Sequence, residues 1–104
     1  MKRFTDRVAL ISGAAQGIGE ATALLFAAQG ARLVLLDLHA ESLARVAERC
    51  AALGADVIAQ PGSVAERSAW DAAVAAALAR WQRLDILINN AGITRDARFE
   101  HMGV

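Results

Sequence analysis

The chain has 104 residues, of which 56% are hydrophobic and 21% charged, a balance typical of one folded domain with a sizeable core and not of a disordered chain. Eleven basic and eleven acidic residues give a formal net charge of zero, which argues against nucleic acid or an anionic membrane surface as a partner. The single cysteine, Cys50, excludes an internal disulfide, and no metal-binding pattern is present. With no apolar run long enough for a signal peptide or a membrane span, the expected location is the cytoplasm.

Short apolar runs alternate with longer helical patterns along the chain. Because both faces of the runs are apolar, they predict parallel strands covered by helices on each side. Strands are predicted at residues 7–12, 31–37, 55–60 and 85–89, and helices at 17–29, 40–53 and from 63 onwards. This βαβαβαβ order predicts an α/β fold: one Rossmann-type domain over residues 1–104, with a doubly wound parallel sheet in strand order 3-2-1-4.

Helical spacing also predicts which side chains are buried. The first helix is expected to bury a stripe of four residues, and the third helix another. The third helix is expected to begin at Ser63, because Ser63 and Glu66 have the spacing of a capping box. The two stripes are Ile18, Ala21, Thr22 and Leu25, then Trp70, Val74, Leu78 and Trp81.

The strongest functional motif runs from Ser12 to Gly19, between the first strand and the first helix. Its glycine spacing is Gly-x-x-x-Gly-x-Gly. Glycines allow a tight turn and let a pyrophosphate approach the backbone, while the helix N-terminus favours an anion. An ordinary strand-to-helix turn is the alternative interpretation.

An acidic residue, Asp37, ends the second strand, 18 residues after Gly19. A carboxylate at this place can accept hydrogen bonds from both hydroxyls of an adenosine ribose. It would repel a 2′-phosphate, and neither Gln16 nor Leu38 supplies a compensating positive charge. The sequence therefore predicts NAD in preference to NADP. A solvated turn aspartate is the alternative.

The fourth strand ends in Asn89-Asn90-Ala91-Gly92. In an open α/β sheet the carboxyl ends of the strands form the ligand crevice, and asparagine side chains there can join strand ends or meet a ribose.

These motifs resemble those of the short-chain dehydrogenases/reductases. Ser12 to Gly19 looks like the family's Thr-Gly-x-x-x-Gly-x-Gly turn with Ser12 for the usual threonine, and Asn89 to Gly92 matches its Asn-Asn-Ala-Gly motif. Residues 89–96 look most like 3-oxoacyl-carrier-protein reductases and acetoacetyl-CoA reductases.

The resemblance implies a dinucleotide site and hydride transfer between a carbonyl and an alcohol. It places Ser63 and Val64 beside the adenine, although the family usually has Asp or Asn at the position of Ser63. The cofactor-binding residues that it implies are Gly13, Gln16, Gly17, Ile18, Gly19, Asp37, Leu38, Ser63, Val64, Asn90, Ala91 and Gly92.

The family's catalytic Ser and Tyr-x-x-x-Lys have no counterpart in these 104 residues, which include no tyrosine. No catalytic residue is therefore assigned, and the resemblance implies that residues 1–104 form a half domain with an incomplete sheet, without the family's catalytic segment. Three interpretations stay open: the cofactor-binding portion of an oxidoreductase, a dinucleotide-binding module without chemistry, or an inert fragment.

The fourth strand, with Ile86, Leu87 and Ile88, is expected to form a sheet edge here. An apolar edge invites pairing with another chain. The sequence therefore predicts self-association, completion by another polypeptide, or poor folding.

Overall fold

A computed structural model describes residues 2–90 of the chain. Strands and helices alternate through this part, in the order that the sequence predicts. The elements are β1 (Val8–Ser12), α1 (Gly17–Ala28), β2 (Arg32–Asp37), α2 (Ala40–Ala52), β3 (Val57–Pro61), α3 (Arg67–Trp81) and β4 (Ile86–Asn89).

The four strands form one parallel sheet in the order β3-β2-β1-β4. In this sheet β1 is flanked on both sides, since Ala9 is in register with Leu33 of β2 and with Ile86 of β4. The predicted strand order is therefore confirmed. The carboxyl ends of β1, β2 and β4 consequently lie next to one another at one edge of the sheet.

Helices cover both faces of the sheet. The alternation of side chains along β1 sends Ala9 and Ile11 towards α1 and α2, and Val8 and Leu10 towards α3. Both faces of β1 and β2 are buried, as expected for parallel strands between helical layers. Cys50 is fully buried among the apolar side chains beneath α2, and this burial raises the pKa of its thiol to about 11.

The prediction of which face of α1 is buried is wrong. Small residues, Gly19, Ala23 and Ala27, face the sheet, whereas Ile18 and Leu25 are 62% and 58% exposed. The helix is apolar nearly all round, so its hydrophobic spacing does not specify one face. Small side chains let α1 approach the sheet closely.

The predicted start of α3 at Ser63 is also wrong, since the helix begins at Arg67. The Ser63 hydroxyl accepts a hydrogen bond from the backbone N–H of Ala65 at 3.1 Å, which closes a local turn before the helix. Within α3, Trp81 is buried as predicted, together with Ala73 and Ala77, and the predicted Trp70 and Val74 are half-buried against the same cluster. Leu78 is 46% exposed.

Among residues 2–90, no helix combines the length and the apolar character that crossing a membrane requires. The cytoplasmic location stays a prediction.

At the amino-terminal edge of the sheet, Asp85 joins β4 to β1. Its Oδ2 accepts a hydrogen bond from the backbone N–H of Val8 at 2.8 Å. Arg83 donates to both carboxylate oxygens, at 2.9 and 3.0 Å. The Arg83 hydrogen bond, followed by that of Val8, holds the pKa of Asp85 below its ordinary value.

We expect this carboxylate to make the fold sensitive to acid. A carboxyl whose pKa is lowered by folding stabilises the folded state above the pKa of the unfolded chain, about 3.9, and this contribution disappears as the pH falls through the folded value. Thermal unfolding of wild type and Asp85→Asn between about pH 7 and pH 2 should give a difference in Tm that shrinks with acidification. Asp71→Asn, at an exposed position of α3, is the control. A difference independent of pH would contradict the prediction.

Candidate functional site

The glycine-rich turn joins the end of β1 to the start of α1. The backbone N–H of Gly13 donates to the Leu36 carbonyl at 2.9 Å, so the turn stays attached to β2. Gln16 is the N-cap of α1, but its side chain makes no capping hydrogen bond. The backbone N–H groups of the first helical turn therefore remain available to an anionic ligand.

Two glycines of this turn are required for different reasons. A Cβ on Gly19 would lie 1.8 Å from the carbonyl oxygen of Gly13, so only glycine lets α1 start this close to the turn. Gly17 has a φ of 62°, in the left-handed region, while a Cβ there would meet no atom of the described chain within 4 Å. The surface over Gly17 is thus open to a ligand.

Asp37 fixes the next part of the site. Its side chain lies at the carboxyl end of β2, and the residue is only 8% exposed. Oδ2 accepts the backbone N–H of Ala15 at 3.1 Å, and Oδ1 accepts that of His39 at 2.9 Å. The carboxylate is therefore held between the turn and the start of α2, and its oxygens retain lone pairs for further donors. Leu38, beside it, is 63% exposed.

A side-chain hydrogen bond joins the ends of β1 and β4. Ser12 is in register with Asn89, and its hydroxyl donates to Asn89 Oδ1 at 2.7 Å. The next residue, Asn90, is buried with 7% exposure, and its Nδ2 has no partner among the described residues. A buried amide donor normally has a hydrogen-bond partner, so an acceptor outside residues 2–90, in the chain or on a ligand, would satisfy this group.

The segment after β3 lies one strand beyond Asp37. The backbone N–H of Gly62 donates to the Asp37 carbonyl at 2.9 Å, which brings Ser63 and Val64 to the same edge of the sheet. The Val64 carbonyl accepts the indole N–H of Trp70 at 2.8 Å. Ala91 and Gly92, the last two predicted site residues, lie outside the described residues.

The site therefore collects its groups from the carboxyl ends of three strands and from the turn after β1. Sequence reasoning missed Ala15, whose N–H fixes the carboxylate of Asp37. No side-chain pattern could have revealed it, because the contact is made by the backbone. Residues 2–90 contain no group of three or more His, Cys, Asp or Glu side chains arranged to hold a metal ion.

The family described as short chain dehydrogenase matches residues 7–103. This chain belongs to that family. It is 39% identical over 100 residues to the 3-oxoacyl-[acyl-carrier-protein] reductase of Thermotoga maritima, a match that covers 96% of this chain and 41% of the relative. It is 41% identical to the cyclohexanol dehydrogenase of an Acinetobacter species, covering 88% of this chain and 36% of that protein.

Solved structures agree with the fold. The carveol dehydrogenase of Mycobacterium avium in complex with NAD aligns with a TM-score of 0.84 at 31% identity, covering 94% of this chain and 40% of that one. The glucose dehydrogenase of Caenorhabditis elegans aligns with a TM-score of 0.81 at 36% identity, covering 86% of this chain and 39% of that one. The Rossmann-type prediction is therefore confirmed. The chain spans about two fifths of the length of these relatives.

The close approach at Gly19 gives a stability prediction. Gly19→Ala should destabilise the fold by more than about 2 kcal/mol, because the new methyl group would overlap a backbone oxygen that can move only with the turn. Gly17→Ala should cost less, about 1–2 kcal/mol, since it introduces only left-handed backbone strain. Urea unfolding of both variants measures the difference. Equal losses would contradict the steric account.

Proposed function

We propose that this chain binds a nicotinamide dinucleotide across the carboxyl ends of β1, β2 and β4. It would serve as the cofactor-binding part of an oxidoreductase that interconverts a carbonyl and an alcohol. The observation that carries the proposal is the carboxylate of Asp37, fixed by two backbone N–H groups beside an uncapped helix N-terminus. When bound, the dinucleotide supplies the hydride acceptor or donor.

The residues of the turn are proposed to hold the pyrophosphate. Backbone N–H groups at the start of α1 would donate to the phosphate oxygens, and the helix dipole adds a partial positive charge. The open space over Gly17 supports this role because a ligand can approach the backbone there. The proposed set is Gly13, Gln16, Gly17, Ile18 and Gly19.

The adenosine end of the cofactor is proposed to lie over Asp37 and Leu38. The carboxylate would accept hydrogen bonds from the ribose hydroxyls, and the exposed Leu38 side chain offers an apolar surface beside them. Ser63 and Val64 would border the adenine.

Asn90 is proposed to complete the set of residues that bind the cofactor. The fit of the cofactor to these residues rests on an observation independent of any relative: the buried Nδ2 of Asn90 lacks a partner among residues 2–90, and a ribose oxygen would satisfy it. Ala91 and Gly92 stay predictions for the same segment.

Chemistry in the family needs groups that these 104 residues do not include, as the sequence resemblance implies. The described residues are therefore proposed to bind and orient the dinucleotide, and none is assigned to proton transfer. Residues 1–104 are proposed to form one binding domain.

NAD is proposed as the preferred cofactor. Each unit of negative charge on a 2′-phosphate about 5 Å from the carboxylate of Asp37 would be repelled by roughly 3 kcal/mol at an effective dielectric constant near 20, which corresponds to about two orders of magnitude in affinity.

Calorimetric titration of the chain with NADH and NADPH tests this proposal. NADH should bind at least about tenfold more tightly, and Asp37→Ala should weaken NADH binding and narrow the difference between the cofactors. Asp71→Ala, an exposed carboxylate on α3, is the matched control and should change neither. Circular dichroism of each variant checks that the fold persists. Equal affinities in wild type would contradict the preference, and no binding at all would contradict the function.

We also propose that β4 accepts a further strand from a second copy of this chain or from another polypeptide. Among residues 2–90, β4 pairs with β1 only, and Leu87 on it is 59% exposed. Fully burying one leucine side chain is worth about 1.5–3 kcal/mol, a large share of a domain's total stability.

Sedimentation velocity over a range of concentrations tests this second proposal. The wild-type chain should self-associate, and Leu87→Lys should shift it towards monomer, because a lysine on an edge strand opposes pairing. Leu53→Lys is a suitable control, since Leu53 is 47% exposed at the end of α2, away from β4. A monomeric wild type with one sharp cooperative melt would overturn the proposal.

A further inference from the structure

An ion pair joins α1 to α2 beside the glycine-rich turn. Arg49, in the last turn of α2, donates through Nη1 to Oε2 of Glu20, in the first turn of α1. Both side chains line a cleft of about 250 Å³ between the two helices, and Ala15 of the turn lines the same cleft. The ion pair therefore shares a cleft with the turn that is proposed to hold the pyrophosphate.

Glu20 carries a negative charge into the helix terminus that is proposed to bind an anion. It follows Gly19 directly, and a rise of about 1.5 Å per residue places its Cα about 4.5 Å along the helix axis from that of Gly17. The Cα–Cβ bonds of a helix tilt towards its N-terminus, so the Glu20 side chain leaves α1 in the direction of the turn. A carboxylate in this first turn interacts with the same helix dipole that a pyrophosphate would use. An unpaired Glu20 would therefore oppose a bound pyrophosphate.

Arg49 compensates the charge of Glu20, because the two groups of the ion pair are together neutral. The Glu20 side chain is only 26% exposed, so its charge is screened less than that of a fully exposed carboxylate. Arg49 is 59% exposed, and a partly exposed pair of this kind adds little to the stability of a fold. A variant of Arg49 should therefore fold and change chiefly the charge beside the turn.

We propose that Arg49 supports dinucleotide binding through Glu20, by neutralising a carboxylate that would otherwise repel the pyrophosphate from the start of α1. This inference rests on the proposed function, because it assumes that the N–H groups of the first helical turn hold the pyrophosphate. Arg49 need not touch the cofactor. Its effect is electrostatic, so it depends on the charge of Glu20 and on the ionic strength.

Calorimetric titration with NADH compares wild type, Arg49→Gln, Glu20→Gln and the double variant at about 10 mM salt, where the Debye length is about 30 Å. Arg49→Gln should weaken NADH binding about threefold to tenfold, since one exposed charge pair is worth up to about fivefold in affinity and the pyrophosphate carries two charges. Glu20→Gln should bind NADH at least as tightly as wild type. The double variant, which has neither charge, should return to within about twofold of wild type. Arg45 and Glu48, the other charged residues of the cleft, are the same in every variant.

Two further measurements separate an effect of charge from an effect on structure. Arg49→Lys retains the positive charge and should bind NADH within about twofold of wild type. At about 1 M salt, where the Debye length is about 3 Å, the loss caused by Arg49→Gln should fall below about twofold. The matched controls are Arg67→Gln and Asp71→Asn, which break an exposed ion pair within α3, on the opposite face of the sheet. They should leave the affinity for NADH unchanged.

The double variant gives the decisive comparison. If it binds NADH as weakly as Arg49→Gln does, the inference is overturned, since the pair would then act by holding α1 against α2 and not by its charge. Loss of the folded circular dichroism spectrum in Arg49→Gln overturns the inference for the same reason. Wild-type affinity in Arg49→Gln at low salt overturns it as well, and leaves the proposed function intact. A wild-type chain that does not bind NADH overturns the proposed function and this inference together.

Discussion

Asp37 is hydrogen-bonded to three segments: the turn after β1, the start of α2 and the loop after β3. It is bound by the N–H of Ala15 in the turn after β1 and by the N–H of His39 before α2, and the Asp37 carbonyl binds the N–H of Gly62 after β3. Hydrogen bonds to a charged acceptor contribute about 1.5–3 kcal/mol each. The relative position of the turn and the start of α2 therefore depends on the Asp37 side chain, whereas the loop after β3 is held by the backbone at this position.

Asp37 stabilises the fold and is also proposed to bind the ribose, so a variant at this position can affect both stability and binding. An aspartate at the end of β2 is stabilising without any ligand, because it satisfies two backbone donors that would otherwise need other partners. Each oxygen keeps a lone pair beyond these bonds, and the side chain lies at the carboxyl end of β2, the same edge of the sheet at which Asn90 follows β4. A ribose bound here, as proposed, would meet a carboxylate that is already fixed in position, so less conformational entropy would be lost on binding.

The sequence alone predicted the strand order, the glycine-rich turn and the position of Asp37, because each is encoded by local residue types at fixed spacing. The prediction from the sequence was wrong where the same residues fit more than one local structure. Ser63 and Glu66 have the spacing of a capping box, yet the Ser63 hydroxyl binds the N–H of Ala65, and α3 starts one turn later. The hydrogen bond from Ala15 to Asp37 could not be predicted from the sequence, because its donor is a backbone N–H that every residue type except proline has.

The wrong prediction of the buried face of α1 has a different cause from the wrong start of α3. It concerns the surface of α1 beside β4. Glu20 pairs with Arg49 of α2, and Ile18, two residues earlier, lies about 200° round the helix, facing away from α2. Since α2 packs over β2 and β3, that direction is the side of β4. The predicted apolar stripe thus exists, but among residues 2–90 nothing covers it.

Ile18 and Leu87 lie on opposite sides of the sheet. Leu87 of β4 is exposed on the face that α3 covers at β1 and β2. Apolar surface therefore flanks β4 above and below as well as along its edge. A strand added at β4, as proposed, would pair with the backbone groups of that edge, and its side chains would cover part of Leu87.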